Sequence, residues 1–278
     1  MSKLLKSGFF RLSRDRSFYI FSALMLAGGL VMAMICANLK KYDDYDMQFD
    51  SSTFFFFADV IGVVCAAFCS LFVGVEYSDG TARNKLVAGS GRGSMYLSNL
   101  IVCLAAVLVF CVCYMAGFCA VGIPALGLTG VNTAFLFARL FVCLVMSFAY
   151  TGIFVMLSMC VQNKTAVAII GVISAFVLLF AAILIISRLN EPPMYDSYTY
   201  MDSTGKIVTD AAQPNPYYID GTKRKICELV LDILPSGQAL QMNALSDTDT
   251  VLMPLYSLII AVISTICGMA VLRKKDIK

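Results

Sequence analysis

The chain has 278 residues, of which 59% are hydrophobic and 14% charged, and its formal net charge is +3. A soluble domain of this length is nearer half apolar and a quarter charged, so the composition excludes an ordinary soluble protein. The sequence contains no histidine, which excludes Ser-His-Asp, Cys-His and HExxH catalytic sites.

The apolar excess is concentrated in runs long enough to cross a bilayer, which needs about 20 apolar residues in a helix. Six such runs occur, at Phe18–Ala37, Phe54–Val75, Met95–Val121, Thr133–Val161, Thr165–Ser187 and Val251–Leu272. They are apolar nearly all round, whereas the helix of a soluble protein carries a polar face. We therefore predict an all-α polytopic membrane protein, with residues 1–278 forming a single transmembrane domain of six helices.

Basic residues near the span ends predict the orientation of the chain in the membrane. Six spans place both termini on one side, together with 13 of the 21 basic residues and 4 of the 18 acidic residues. The basic side of a multi-pass protein faces the cytoplasm, so both termini are predicted to be cytoplasmic. Because this topology explains the basic excess, the net charge gives no indication of nucleic acid binding.

The N-terminal stretch Ser2–Arg16 mixes leucine and phenylalanine with five basic residues. This composition predicts a helix that lies at the inner membrane surface with its basic face toward the lipid headgroups. A frayed basic tail is the alternative. The run that follows, Phe18–Ala37, is long for the apolar region of a signal peptide, and we interpret it as a retained span.

Two charged side chains lie inside the predicted spans. Asp59 is about five residues from the outer end of the second span, and Arg139 is about six residues from the outer end of the fourth. At ~1.5 Å per residue both side chains start ~8–9 Å below the surface. Since charges inside a membrane are costly and usually paired, we hypothesise an Asp59–Arg139 ion pair. Separate snorkelling of each side chain to the outer surface is the alternative.

The segment Glu76–Ser94 is the one sizeable cytoplasmic connection between predicted spans. Ser78 or Asp79 is predicted to cap a helix over Thr81–Ala88, because a short side-chain oxygen can accept hydrogen bonds from free backbone N–H groups. Gly89 and the glycines after it are expected to end this helix. A short helix between two spans suits docking into a groove of another protein, and a solvated basic loop is the alternative.

Residues 188–250 form the one long extracellular segment and contain five of the seven prolines. The first half has no hydrophobic period and is predicted to be irregular. Apolar residues between Ile226 and Leu234 recur at helical spacing, which predicts an amphipathic helix resting on the outer leaflet. Pro235 and Gly237 are expected to end that helix.

Two stretches of the sequence resemble a known family of membrane proteins. EYSDGTARNKL, followed by small residues and YLSNLI, resembles the inner loop of type 2 ABC exporter permeases, the membrane subunits of ATP-driven exporters. The pattern of that loop is a Glu-aromatic stretch, Gly-Thr, a basic residue and Asn-Lys-Leu. NPYYIDGTKRKICELVLDILPSGQALQ is similar to the outer segment before the last span in bacterial members. The order of N-terminal helix, six spans and outer helices between spans five and six matches the family along the whole chain.

The resemblance implies that the helix between spans two and three is a coupling helix, which seats in a separate ATP-binding subunit. The coupling residues implied are Glu76, Asp79, Gly80, Thr81, Arg83, Asn84 and Lys85. Arg83 and Lys85 would meet acidic or carbonyl groups of that subunit. ATP and Mg²⁺ would be bound by the partner ATPase, with no cofactor on this chain. A second permease subunit, identical or related, would complete the pathway in a bacterial plasma membrane.

The predicted function is therefore the permease subunit of an ATP-driven exporter, which forms the translocation pathway and is not itself an enzyme. The sequence has no GxxxxGK[ST] motif, so hydrolysis of ATP by the P-loop route is left to another polypeptide. A non-transporting immunity or sensing protein of the same fold is the main alternative. A membrane enzyme or an ion-coupled carrier is disfavoured, because paired intramembrane carboxylates and broken spans are lacking.

Overall fold

The computed structural model describes residues 1–42, 52–127, 132–161, 163–201, 207–210, 212–243 and 252–274. Within them the chain forms ten α-helices, a short 3₁₀-helix at Ser52–Phe56 and two antiparallel pairs of short strands. In chain order the α-helices are α1 (Ser2–Leu12), α2 (Arg16–Tyr42), α3 (Phe57–Ser78), α4 (Thr81–Val87), α5 (Arg92–Leu126), α6 (Thr133–Cys160), α7 (Lys164–Leu189), α8 (Gly221–Ile233), α9 (Pro235–Asn243) and α10 (Leu252–Lys274).

The six predicted spans are confirmed as long apolar helices, α2, α3, α5, α6, α7 and α10. Their lengths run from 22 residues in α3 to 35 residues in α5. At ~1.5 Å per residue even the shortest exceeds the ~30 Å thickness of the hydrocarbon layer. The chain is therefore a multi-pass, all-α membrane protein.

The first helix boundary differs from the prediction. α1 ends at Leu12, and Arg16 begins α2 instead of ending α1. The Ser17 N–H donates a hydrogen bond to Asp15 Oδ1 at 2.7 Å. Asp15 therefore caps the start of α2, because its side chain satisfies one of the N–H groups that lack an intrahelical acceptor.

The described part of the stretch between α7 and α8, which was predicted to be irregular, contains four short strands. They are β1 (Met194–Tyr195), β2 (Tyr198–Met201), β3 (Ile207–Asp210) and β4 (Gln213–Pro214). β1 pairs antiparallel with β4, and β2 pairs antiparallel with β3. The prediction was wrong here because strands of two to four residues are too short to show an alternating hydrophobic pattern.

The apolar residues from Ile226 onward lie on α8, but Pro235 begins α9 instead of ending the helical region. Leu234 has an extended backbone, with ψ at 125°, which is the conformation favoured before proline. Pro235 then occupies the first position of α9, where an N–H would have no intrahelical partner. Gly237 lets α9 fold back closely on α8, since a Cβ there would lie 2.3 Å from the Leu231 carbonyl oxygen.

The spans α2 and α5 pack closely through glycines. A Cβ on Gly29 would lie 2.2 Å from the Tyr114 carbonyl oxygen, and a Cβ on Gly117 would lie 2.3 Å from the Leu26 carbonyl oxygen. The two backbones are therefore in direct contact, as small residues permit between membrane helices. Gly28, the neighbour of Gly29, differs because its Cβ would lie 3.9 Å from the Tyr114 ring, an ordinary contact distance.

We expect Gly29→Ala to lower the free energy of unfolding by roughly 1–3 kcal/mol, because the added methyl group forces α2 away from α5. Gly28→Ala is the matched control, since it gains the same helix propensity without the clash. Thermal unfolding can be followed with a thiol-reactive dye, because Cys65, Cys69 and Cys103 are free and buried in the fold. Equal melting temperatures for the two variants would contradict the close α2–α5 contact.

Candidate functional site

A fully buried carboxylate lies at the end of α3. Glu76 is in the last turn of that helix, and its side chain is 0% exposed. Moving a carboxylate out of water costs several kcal/mol unless charged and hydrogen-bonding groups surround it. The residues just before Glu76 are apolar, so its partners must come from other parts of the chain.

Three side chains from three other helices reach the Glu76 carboxylate. Arg11 of α1 and Lys85 of α4 both form ion pairs with Oε1, and Asn99 of α5 donates from Nδ2 to Oε2 at 2.8 Å. The Arg11 guanidinium also lies 3.8 Å from the centre of the Phe72 ring, which is a cation–π contact. This group, Glu76 with Arg11, Lys85 and Asn99, is called the Glu76 cluster below, and it joins α1, α3, α4 and α5 at one point.

The helix α1 is packed against the bundle. Gly8 and Leu12 are buried, and a Cβ on Gly8 would lie 2.8 Å from Val102 Cγ2 of α5. Lys3 and Lys6 are exposed on the helix. The predicted N-terminal helix thus exists and has one face on α5, and its place at a membrane surface stays a prediction.

Two glycines in the left-handed conformation delimit α4. Gly80, with φ at 67°, precedes the helix, and Gly89, with φ at 83°, follows it. Residues with a Cβ rarely adopt this conformation, so glycine is favoured at both positions. The Gly89 N–H donates to the Leu86 carbonyl at 2.9 Å, and the Ser90 N–H donates to the Lys85 carbonyl at 3.1 Å. This pair of bonds is a Schellman motif, which ends the helix as predicted for Gly89.

The predicted cap at the start of α4 was wrong. Gly80 occupies the N-cap position without a side-chain hydrogen bond, and Ser78 and Asp79 instead complete α3. The Thr81 hydroxyl donates back to the Glu76 carbonyl oxygen at 3.1 Å. Glu76 therefore holds the first turn of α4 through its backbone as well as holding Lys85 through its side chain.

The two cations of α4 point in different directions. Lys85 is 22% exposed and contacts Glu76, whereas Arg83 is exposed. Val87, one turn after Arg83, is 82% exposed, while Ala82 is buried. Of the two cations expected to meet a partner, Arg83 has an open side chain and Lys85 is already paired within the chain.

The structure brings Asp59 and Arg139 to neighbouring residues of α9, and not to each other. Asp59, in the first turn of α3, accepts a hydrogen bond from Asn243 Nδ2. Arg139 of α6 is 1% exposed, and its Nη1 donates to the Met242 carbonyl oxygen at 2.5 Å. The same guanidinium lies 4.0 Å from the centre of the Phe135 ring. The hypothesised direct ion pair is thus replaced by two bonds to the C-terminal end of α9, where a cation is favoured by the helix dipole.

A buried glutamine fixes α9 in place. Gln238 is 0% exposed, and its Nε2 donates to the carbonyl oxygens of Asp232 at 2.6 Å and Met253 at 3.1 Å. The Ser257 hydroxyl donates to Gln238 Oε1 at 2.6 Å. Both ends of one amide therefore tie α9 to α8 and to α10. These partners lie at different distances along the chain, so no local sequence pattern indicated them.

Two members of the Glu76 cluster did not stand out in the sequence. Asn99 lies inside an apolar span, where an amide is costly without a hydrogen-bond partner. Its position could therefore have indicated that it has a buried partner. Arg11 is one of five basic residues in the N-terminal stretch, so nothing in the sequence distinguishes it from its neighbours. Only the fold shows that α1 carries Arg11 to Glu76.

Within the described ranges, no group of three or more His, Cys, Asp or Glu side chains is placed to hold a metal ion. Comparison of the chain with protein-family models and with curated proteins gave no match. A functional conclusion must therefore come from the chemistry and geometry of the Glu76 cluster, α4 and α9.

We expect Glu76→Gln to lower the free energy of unfolding by about 2–3 kcal/mol, because it leaves two cations without their shared carboxylate. This loss of stability is at the lower end for breaking a buried ion pair. The side chains of Arg11 and Lys85 keep 29% and 22% exposure, so water offsets part of the lost attraction. Asp79→Asn, a carboxylate-to-amide change at an exposed position on the same connection, is the matched control. Thermal unfolding measures both.

A double-mutant cycle then tests the contact itself. Glu76→Gln combined with Lys85→Gln should cost less than the sum of the two single changes, with a coupling energy of roughly 0.5–3 kcal/mol. Additive effects, or a Glu76→Gln variant as stable as Asp79→Asn, would contradict the proposed role of the Glu76 cluster.

Proposed function

We propose that the chain is the permease subunit of an ATP-driven exporter in a bacterial plasma membrane, with both termini in the cytoplasm. A separate ATP-binding subunit supplies the energy and docks on α4. The single observation that carries this proposal is the construction of α4. It is a seven-residue helix between two spans, with one side bound to the bundle and the other side exposed.

The inner side of α4 is suited to transmit force. Ala82 is buried, Lys85 is bound to the Glu76 carboxylate, and Thr81 is bound to the Glu76 backbone. Separating α4 from α3 would leave a buried carboxylate and its cations unpaired, which is costly. A partner that moves α4 therefore moves the end of α3 with it.

The open side of α4 is suited to binding. It presents Arg83, Asn84 and Val87, which are all exposed. A cation, an amide and an apolar side chain on one short helix fit a groove with an apolar socket and an acidic rim. Residues 76–86 resemble the coupling loop of type 2 ABC exporter permeases. This resemblance supports the proposal that the groove belongs to an ATP-binding subunit.

α3 connects this docking helix with the opposite end of the bundle. Asp59 lies in its first turn and Glu76 in its last turn, about 25 Å apart along the helix axis. Asp59 is bonded to Asn243 of α9, and α9 packs against α3, α6 and α7. We propose that displacement of α4 is carried along α3 to α9, which closes the outer side. ATP binding to the partner supplies the difference in free energy between the two states.

A second permease subunit is part of the proposal, because the interior of this bundle is filled. Phe68, Phe72, Phe110 and Phe154 are at most 1% exposed in its core. A translocation pathway therefore fits better between two subunits than through one. Only 17% of the apolar stretch of α7 is buried. This helix therefore offers a broad apolar surface to a second subunit or to lipid.

The proposal predicts that an ATP-binding protein co-purifies with the tagged chain from its native host in mild detergent. Arg83→Glu and Val87→Asp should each weaken that association roughly tenfold or more. The first reverses a charge that faces the acidic rim, and the second places a charge where an apolar contact is expected. Both residues are exposed, so the variants should fold normally. Lys223→Glu, an exposed charge reversal on α8, is the matched control and should retain the partner.

Failure to recover an ATP-binding protein in several detergents would contradict the exporter proposal. Equal recovery of the ATPase with the Arg83→Glu, Val87→Asp and Lys223→Glu variants would contradict docking on α4. It would still support an ATPase partner that binds elsewhere on the chain. A chain that binds no ATPase but captures a peptide with residues 188–250 would instead support the immunity or sensing alternative.

A further inference from the structure

A cavity of about 550 Å³ lies beside the Glu76 cluster, between α1, the start of α2, the end of α3 and α4. Its charged lining residues are Arg11, Arg14, Asp15, Arg16 and Lys85. Four cations around one cavity repel one another unless anions balance them. The cavity therefore has the composition of an anion-binding site.

The carboxylates near the cavity balance only part of this charge. Glu76 is shared by Arg11 and Lys85, so one of those two positive charges is left over. Asp15 offsets one of the two arginines that flank it in the sequence. The cavity thus keeps two positive charges, which matches an anion that carries one or two negative charges.

Arg11, one of the lining cations, also has donors without acceptors. Arg11 uses Nη1 for Glu76, while its Nε and Nη2 are buried and reach no acceptor among the described residues. A buried N–H without an acceptor is costly, and a guanidinium presents its donors in a planar fork. A phosphate accepts from two such donors of an arginine at once, which requires the Arg11 side chain to turn that edge toward the cavity.

The remaining lining includes apolar and aromatic side chains. Phe10, Phe72 and Val75 face the cavity, and the Arg14 guanidinium lies 4.3 Å from the centre of the Phe10 ring. The cavity is level with the first residues of α2 and the last turn of α3, which are the ends of two spans. A site with both positive charge and apolar surface at this level suits a headgroup that is joined to acyl chains.

We propose that this cavity binds the phosphate group of an anionic phospholipid from the leaflet on the side of both termini. A soluble phosphate shares the same recognition chemistry, and the experiment below separates the two sources. The assignment to the inner leaflet rests on the orientation proposed above, whereas binding in the cavity does not require an ATPase partner. Arg14 and Arg16 lie outside α4, so they test the cavity without touching the docking face.

The test uses the purified full chain in a neutral detergent and three probes: phosphatidylglycerol, phosphatidylcholine and inorganic phosphate. Native mass spectrometry measures retained lipid, and thermal unfolding measures the shift in melting temperature. Phosphatidylglycerol should be retained and should raise the melting temperature, whereas zwitterionic phosphatidylcholine should do neither. If inorganic phosphate reproduces the full shift, the lipid proposal is overturned and the cavity binds phosphate from a soluble source.

Arg14→Gln combined with Arg16→Gln should weaken retention of phosphatidylglycerol by about tenfold or more for each charge-assisted hydrogen bond that is removed. Lys3→Gln combined with Lys6→Gln removes two exposed charges from the same end of the chain without touching the cavity, and should bind as the wild type does. The melting temperature without lipid checks that each variant is folded, and Arg14→Gln alone serves if the double variant is not. Equal weakening in the cavity and control variants, or no weakening in either, would overturn the proposal.

Discussion

The burial of one carboxylate at the end of α3 constrains the arrangement of the helices around it. Glu76 has no exposed side-chain surface, and it is stable there only because Arg11, Lys85 and Asn99 converge on its two oxygens. Each partner belongs to a different helix, so α1, α4 and α5 must all be in place at once. A connection that could have been a flexible loop thereby becomes a rigid attachment between α4 and the membrane-spanning bundle.

The opposite end of α3 is organised by the same physical requirement with different partners. Asp59 is bonded to Asn243, and nearby Arg139 is bonded to the carbonyl of Met242, so both side chains are held by the end of α9. One continuous helix therefore links the proposed docking element on the side of the termini with a buried helix at the other end. This arrangement is the structural basis of the proposed coupling, because a continuous helix can transmit displacement between segments that do not touch each other.

The sequence predicted what depends on composition and on local pattern. The six spans, the amphipathic α8 and the glycine that ends α4 follow from run length, helical period and backbone conformation. The four strands were missed because they are too short to show a period, and α9 was missed because proline can begin a helix as well as follow one. Arg11 was missed because its partner Glu76 is distant in the chain, and Gln238 was missed because its partners are divided between α8 and α10. Pairing of buried polar groups is a property of the packed helices, and a single sequence does not encode it locally.

The attachment of α4 through Glu76 is tested most directly by hydrogen–deuterium exchange of the backbone amides in residues 79–92. In the wild type these amides should exchange slowly, and in Glu76→Gln their protection should fall together with that of α1, while α8 is unchanged. Local opening of a helix released from its partners produces this pattern. Rapid exchange of α4 in the wild type, or unchanged protection in Glu76→Gln, would contradict the view that this carboxylate fixes α4 to the bundle.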